Sequence, residues 1–268
     1  MRRLAVLSLA LLLGAAPPPS AKRIVSLNLC ADQYLLALAD RSQIAALTRL
    51  SRDPNMSAAA AAASTMPVIR GGAEDVLALR PDLIIAAPGW RPDTVAQLRA
   101  RGIQILDLPP ADSYADIRTQ VRAVSAAIGH PVRGTALIAR MDRTLATVSR
   151  RAGRGRTAAY YQRRGFLTGA GTLVDELMHR VGLVNLAARL NKPPLARVGL
   201  EEMALTRPDY LIVESETDRI TDQGVEMLHH PLIAAIPRLR LPQSWTVCGG
   251  PAYVRAAASL AEQLRRQP

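Results

Sequence analysis

A stretch of this chain occurs twice. The first copy runs Arg70-x-Gly72-x-Glu74, five further residues, Arg80-Pro81-Asp82, and then the apolar run Leu83-Ile84-Ile85. The second runs Arg197-x-Gly199-x-Glu201, five further residues, Arg207-Pro208-Asp209, and then Tyr210-Leu211-Ile212-Val213. The six named residues recur at a constant offset of 127 positions. A single Arg-Pro-Asp would mean little; six matches in register, each followed by an apolar run, argue for a duplicated supersecondary unit. Two copies are too few for a solenoid. The simpler expectation is two similar lobes.

Each copy has a physical reading. Gly72 and Gly199 supply a permissive backbone at a loop-to-helix junction. Glu74-Asp75 and Glu201-Glu202 place carboxylates in a helix first turn, where the helix dipole favours them. Pro81 and Pro208 end that short helix, because a proline disfavours helical geometry at the residue before it. The runs that follow do not alternate, which fits strands buried on both faces of a parallel sheet. Strands alternate with helices in both halves, so the expected class is α/β with parallel sheets.

Residues 1–21 are expected to be an export signal. Arg2-Arg3 form a charged start, Leu4 to Leu13 an apolar core, and Gly14-Ala15-Ala16 a small-residue cleavage site. The apolar core is about half the length of a membrane span. No cysteine follows it, so a lipid anchor is not expected, and a soluble exported protein is. The net charge is +12, and Lys22 and Lys192 are the only lysines, so arginine carries nearly all of it. Nucleic-acid binding would want a basic stripe interleaved with aromatics. Aromatic residues make up 3% of the chain and the arginines are spread along it; nucleic acid is not an expected partner, while an anionic ligand or an acidic surface stays open.

The first buried strand is expected at Arg23 to Leu27, with Asp32 capping a helix to Ala39. Pro131 to Arg150 reads as one long helix, with Val132, Leu137, Ile138, Met141, Leu145 and Val148 at helical spacing. It lies between the two repeat copies and is expected to connect the lobes. The organisation is therefore 22–129 for the N-terminal lobe, 130–153 for the connecting helix and 154–268 for the C-terminal lobe. Ser113 and Thr172 are expected helix caps, Phe166 to Gly171 a glycine-containing loop, and Val247-Cys248 the end of a last strand. Cys30 and Cys248 admit three readings: a disulfide suited to an exported chain, two separate thiols, or ligands to a bound metal. There is no CxxC or HxxxH spacing for a structural zinc site.

With these residues assembled, the chain resembles the periplasmic binding proteins of ABC importers that carry cobalamin, iron–siderophore and heme. The resemblance covers Lys22 to the end. It rests on the first strand and its loop, the paired Glu…Arg-Pro-Asp units, the connecting helix, Phe166-Leu167-Thr168-Gly169, and Trp245 to Pro251. It implies two Rossmann-like lobes with parallel sheets, bridged by one long helix, acting as a monomer with no cofactor. It also implies that Glu74 and Glu201, one on each lobe, dock into arginine pockets of a two-fold symmetric inner-membrane permease. Without the resemblance, each is a carboxylate at its own helix start.

The ligand is expected between the lobes, at loops leaving the carboxyl ends of strands. Trp90 and Trp245 are candidate platforms for a planar chelate, against the alternative that either packs in the core. Arg70 and Arg197 are candidates for ligand carboxylates or phosphate; Arg49 and Phe166 also lie in candidate loops. Val68, Ala87 and Leu195 stand where the vitamin B12 relative has tryptophans, a departure that bears on cobalamin specificity. A Cys30–Cys248 disulfide would tie the lobes across the cleft. An enzyme is not expected: His130, His179, His229 and His230 sit in no nucleophile or metal motif, and there is no GxSxG. The rival reading is an exported metal-ion-binding or enzymatic α/β protein on a similar scaffold.

Overall fold

The computed structural model describes residues 23–69, 72–89 and 91–267. The expected export signal, Arg70 and Trp90 lie outside the described residues. Two parallel sheets organise the chain, one in each half. The N-terminal sheet holds β1 (Ile24–Ser26), β2 (Ile44–Thr48), β3 (Val68–Ile69), β4 (Leu83–Ala86) and β5 (Gln104–Asp107), in the order β3-β2-β1-β4-β5. Every pairing in it is parallel.

The C-terminal half opens with β6 (Thr157–Tyr160) and then β7 (Phe166–Thr168), β8 (Val184–Asn185), β9 (Leu195–Arg197), β10 (Tyr210–Glu214) and β11 (Arg238–Leu241). Four of these form a parallel sheet in the order β11-β10-β6-β8, while β7 and β9 pair antiparallel as a separate ribbon. The ribbon corrects part of the loop expected at Phe166 to Gly171: Phe166–Thr168 is a strand because Leu195–Arg197 supplies backbone partners from a distance in sequence. The expected last strand is corrected too. It is Arg238–Leu241, and Gln243–Trp245 is a 3-10 turn.

The repeat copies fold alike. Gly72 and Gly199 start the short helices Ala73–Ala78 and Leu200–Thr206, with Glu74 and Glu201 in their first turns. Arg80 and Arg207, each ahead of a proline, both take a left-handed backbone, with φ of 46° and 40°, consistent with the bar on right-handed helix there. Asp82 and Asp209 then do the same task. Arg23 N donates to Asp82 Oδ1 at 3.0 Å, and Thr157 N donates to Asp209 Oδ2 at 2.7 Å. Each aspartate thus ties its own strand to the first strand of its sheet. β4 and β10 are buried along their whole length, as their unbroken apolar runs require.

The helix between the halves spans Pro131–Ala146, ending short of Arg150. Its buried positions are Gly134, Leu137, Ile138, Met141 and Leu145, while Val132 is 80% exposed. Gly134 has a steric reason: a Cβ there would come within 2.1 Å of Ser125 Oγ. The helix therefore lies close along Tyr114–Ala127 and also packs on the C-terminal helix Tyr253–Arg266. One hydrophobic cluster runs from Ile24 and Leu83 through Val121, Leu137 and Met141 to Tyr160, Leu239 and Leu260, continuous across both halves. The other face of each sheet is covered by a smaller cluster of its own. Ser113 and Thr172 cap their helices as expected, accepting from Asp116 N and Asp175 N. The cap of the first helix differs: it is Leu29–Leu38, capped by Asn28. Asp32 sits inside its first turn, fully buried, where it accepts from the Thr48 backbone N–H at 3.1 Å and from the Thr48 hydroxyl.

Candidate functional site

The carboxyl ends of the parallel strands in both sheets converge on a cleft of about 370 Å³, within the size range of small-molecule sites. From the N-terminal half come Asn28 after β1, Ala87 after β4, and Leu108 to Asp112 after β5. From the C-terminal half come Tyr160 at the end of β6, Gln162 after it, Glu214 at the end of β10, and Gln243 after β11. Strand ends of open α/β sheets leave backbone groups and loop side chains facing a crevice, which is why ligands settle there. Thr168 and the start of the helix Leu173–Arg180 close one side, and Thr246, Val247 and Gly249 close another.

The polar chemistry of the cleft is concentrated on the C-terminal wall. Glu214 is 4% exposed, and its Oε1 accepts from Gln162 Nε2 at 2.9 Å. Burial pushes the Glu214 carboxyl above the usual range; the bonds from Gln162 and Tyr160 and the charge of Arg163 pull it down, and the Glu216 charge pushes it up. Tyr160 is buried, with its hydroxyl 2.9 Å from Thr246 Oγ1. Burial, followed by the Glu214 charge, raises its phenol. Glu216 stands behind, accepting from the Gln243 backbone N–H at 3.1 Å. Asp112 offers an exposed carboxylate on the N-terminal side.

Cys30 lines the cleft and is bonded to Cys248, with Cα atoms 5.3 Å apart, which is ordinary disulfide spacing. Both thiols are consumed, so neither is a thiolate ligand. Tyr34 donates its hydroxyl to Gly249 O at 2.8 Å beside the bond. Further along the same junction the Tyr114 and Tyr253 rings stack with centroids 5.6 Å apart. Glu176 accepts from Tyr114 N at 3.1 Å and pairs with Arg180 at 2.8 Å, whose Nε donates to Tyr253 Oη at 2.7 Å.

The other expected ligand contacts are spread out. Trp245 is half-buried against the core with the Arg255 guanidinium 5.3 Å over its ring, and it does not line the cleft. Arg197 lies over the Phe166 ring at 5.6 Å on the β7–β9 ribbon and lines a second depression, together with Arg164 and Asp222, wholly on the C-terminal half. Arg49 is exposed on the 3-10 helix Arg49–Arg52. Asn28, Cys30, Ala87, Glu214, Thr246, Val247 and Gly249, in loops or strand ends, do reach the cleft. Leu108 to Asp112, Tyr160, Gln162 and Gln243 were not expected. Glu214 had a signal in the sequence: a carboxylate closing the buried run Tyr210-Leu211-Ile212-Val213.

Glu74 and Glu201 are both exposed at the starts of their helices. Among the described residues, no three His, Cys, Asp or Glu side chains are grouped to hold a metal ion, and no helix is long and apolar enough to cross a membrane.

Comparison with known proteins bears on this geometry. The family model described as "Periplasmic binding protein" matches residues 24–240. A cobalamin-binding protein of Halobacterium salinarum is 25% identical over 210 residues, which span 74% of this chain and 55% of that protein; the chain thus matches about half the length of that relative. A vitamin B12-binding protein of Yersinia pestis is 25% identical over 275 residues, covering 100% of this chain and 94% of that one. Among solved structures, the periplasmic heme-binding protein RhuT from Roseiflexus sp. RS-1 superposes with a TM-score of 0.74 at 24% identity, covering 92% of this chain and 98% of that chain. The periplasmic vitamin B12 binding protein BtuF of Vibrio cholerae superposes with a TM-score of 0.67 at 19% identity, covering 92% and 99%. These superpositions establish a shared fold.

Proposed function

Because this chain belongs to the periplasmic binding protein family, we propose that it captures a metal chelate between its two halves and delivers it to an ABC permease in the inner membrane. The chelate is a ferric siderophore, a corrinoid or heme; the names of the relatives and structural neighbours support that range. In this reading, residues 1–21 direct export to the periplasm and are removed. Residues 22–129 and 154–268 act as the lobes, 130–153 connects them, and the protein works as a monomer without chemistry on its guest.

The observation that carries the proposal is the cleft. Its walls come from strand ends of two separate parallel sheets, so a guest held there touches both halves at once. The exposed Glu74 and Glu201 support the delivery step, since they occupy equivalent posts on equivalent units. Two such carboxylates suit a permease of two-fold symmetry. Trp90 is a proposed guest contact from the N-terminal half.

Native mass spectrometry of the purified protein, mixed in turn with heme, cobalamin, cobinamide and ferric siderophores, tests the reading. Retention of one chelate at one per chain is expected. Tight binding of a bare divalent ion with every chelate rejected would overturn it.

A further inference from the structure

The described lining of the cleft is short of positive charge in a chain that has an excess of it. The sequence carries 34 Lys and Arg against 22 Asp and Glu. Yet among the described residues that line the cleft there is no Lys, Arg or His, while Asp112 and Glu214 supply a carboxylate from each half. Two described arginines of the C-terminal half are engaged elsewhere. Arg163, the cation whose charge bears on Glu214, pairs with Asp222 and is about half exposed. Arg180 is held by Glu176 and Tyr253.

Glu214 makes the point sharpest. A carboxylate that is 4% exposed is costly to bury unless a counter-charge meets it. Its close neighbours are the neutral donors Gln162 and Tyr160 and a second carboxylate, Glu216. Among the described residues no cation forms an ion pair with it; Arg163, whose charge reaches it, is paired with Asp222. The remaining lining is neutral, part apolar and part hydrogen-bonding, with Thr168, Thr172, Gln243 and Thr246 among the hydrogen-bonding side chains.

We infer that the guest is a cationic chelate, whose positive charge and N–H donors are received by Glu214 and Asp112, rather than one that presents free carboxylates or catecholates. This inference rests on the chelate-binding reading above and narrows it. An anionic guest would bring its charge against two carboxylates with no cation among the described lining residues to offset them, and like charges brought together at a desolvated interface strongly disfavour binding. A cationic guest supplies the counter-charge that the fold withholds from Glu214. The same wall thus selects for one sign of charge and rejects the other.

Calorimetric titration at neutral pH with two cationic chelates, ferrioxamine B and aquocobinamide, and two anionic ones, hemin and ferric enterobactin, tests it. At least one cationic chelate should bind ten-fold or more tightly than either anionic one. Glu214→Gln should weaken that cationic binding about ten-fold, and Asp112→Asn, an exposed position where folding is not at stake, should weaken it several-fold. Thermal melts of both variants check that the fold persists. Tighter binding of hemin or ferric enterobactin would overturn the inference while leaving the chelate reading intact, as would cationic binding indifferent to both substitutions. Failure of all four chelates to bind would sink both.

Discussion

Cys30 and Cys248 lie 218 residues apart in sequence and are bonded across the junction of the two halves. The bond runs from the first turn of the helix Leu29–Leu38 to the segment leading into the last helix. Beside it, a Cβ on Gly249 would come within 2.4 Å of Ala111 O, so the two halves are already in close backbone contact there. The bond therefore fastens a junction that packing has formed.

Reduction, or replacement of both cysteines by serine, should lower stability by about 3 kcal/mol, within the typical range for a disulfide. For a chain of this size that corresponds to a melting temperature lower by roughly 5–10 °C. Thermal denaturation with and without reductant reads it. An unchanged melt would mean that the Tyr34, Tyr114 and Tyr253 contacts hold the junction alone.

Glu74 and Glu201 are proposed to meet the permease, well away from the guest. Alanine at both positions should depress uptake of the chelate by cells while its affinity for the purified protein stays within about two-fold. Transport assays beside calorimetry separate the two. A fall in affinity would place these residues at the cleft.

Asp32 is fully buried between β1 and β2. Burial raises its carboxyl to about 6 from 3.8, against the pull of hydrogen bonds from Ser26 and Thr48. A raised folded value means that the folded state holds the proton more tightly than the unfolded one. The stabilising contribution is then complete below about pH 3.8 and is lost as pH rises through 6. Asp32→Asn should remove this dependence, so that the stability difference between variant and parent shifts in the variant's favour by about 2 kcal/mol from pH 4 to pH 7. Urea denaturation across that range measures it; parallel curves would show that Asp32 does not titrate as described.

Gly134 is where the connecting helix touches its neighbour. Any Cβ there collides with the buried Ser125 side chain. Gly134→Leu should cost about 3 kcal/mol by overpacking, despite leucine's better helix propensity. Gly134→Leu combined with Ser125→Ala should recover part of the loss, because the collision is with that side chain.

The repeat, the α/β class and the burial of β4 and β10 were legible in the sequence. They depend on local chemistry: helix-start carboxylates, a proline that bars the helix at the residue before it, and apolar runs without alternation. The shared post of Asp82 and Asp209 was implicit in the same register. What the sequence could not supply was anything resting on partners distant along the chain. Phe166–Thr168 is a strand only because Leu195–Arg197 lies beside it, and Trp245 packs inward because Arg255 and the core claim its ring. The cysteines, open to three readings as isolated residues, became one bond once folding set their Cα atoms 5.3 Å apart. Glu214 shows the division most plainly. Its place at the end of a buried run was written in the order of residues, but its standing in a cleft whose described lining holds no cation was decided by which strand ends two separate sheets bring together, since charge complementarity belongs to a surface and not to a segment.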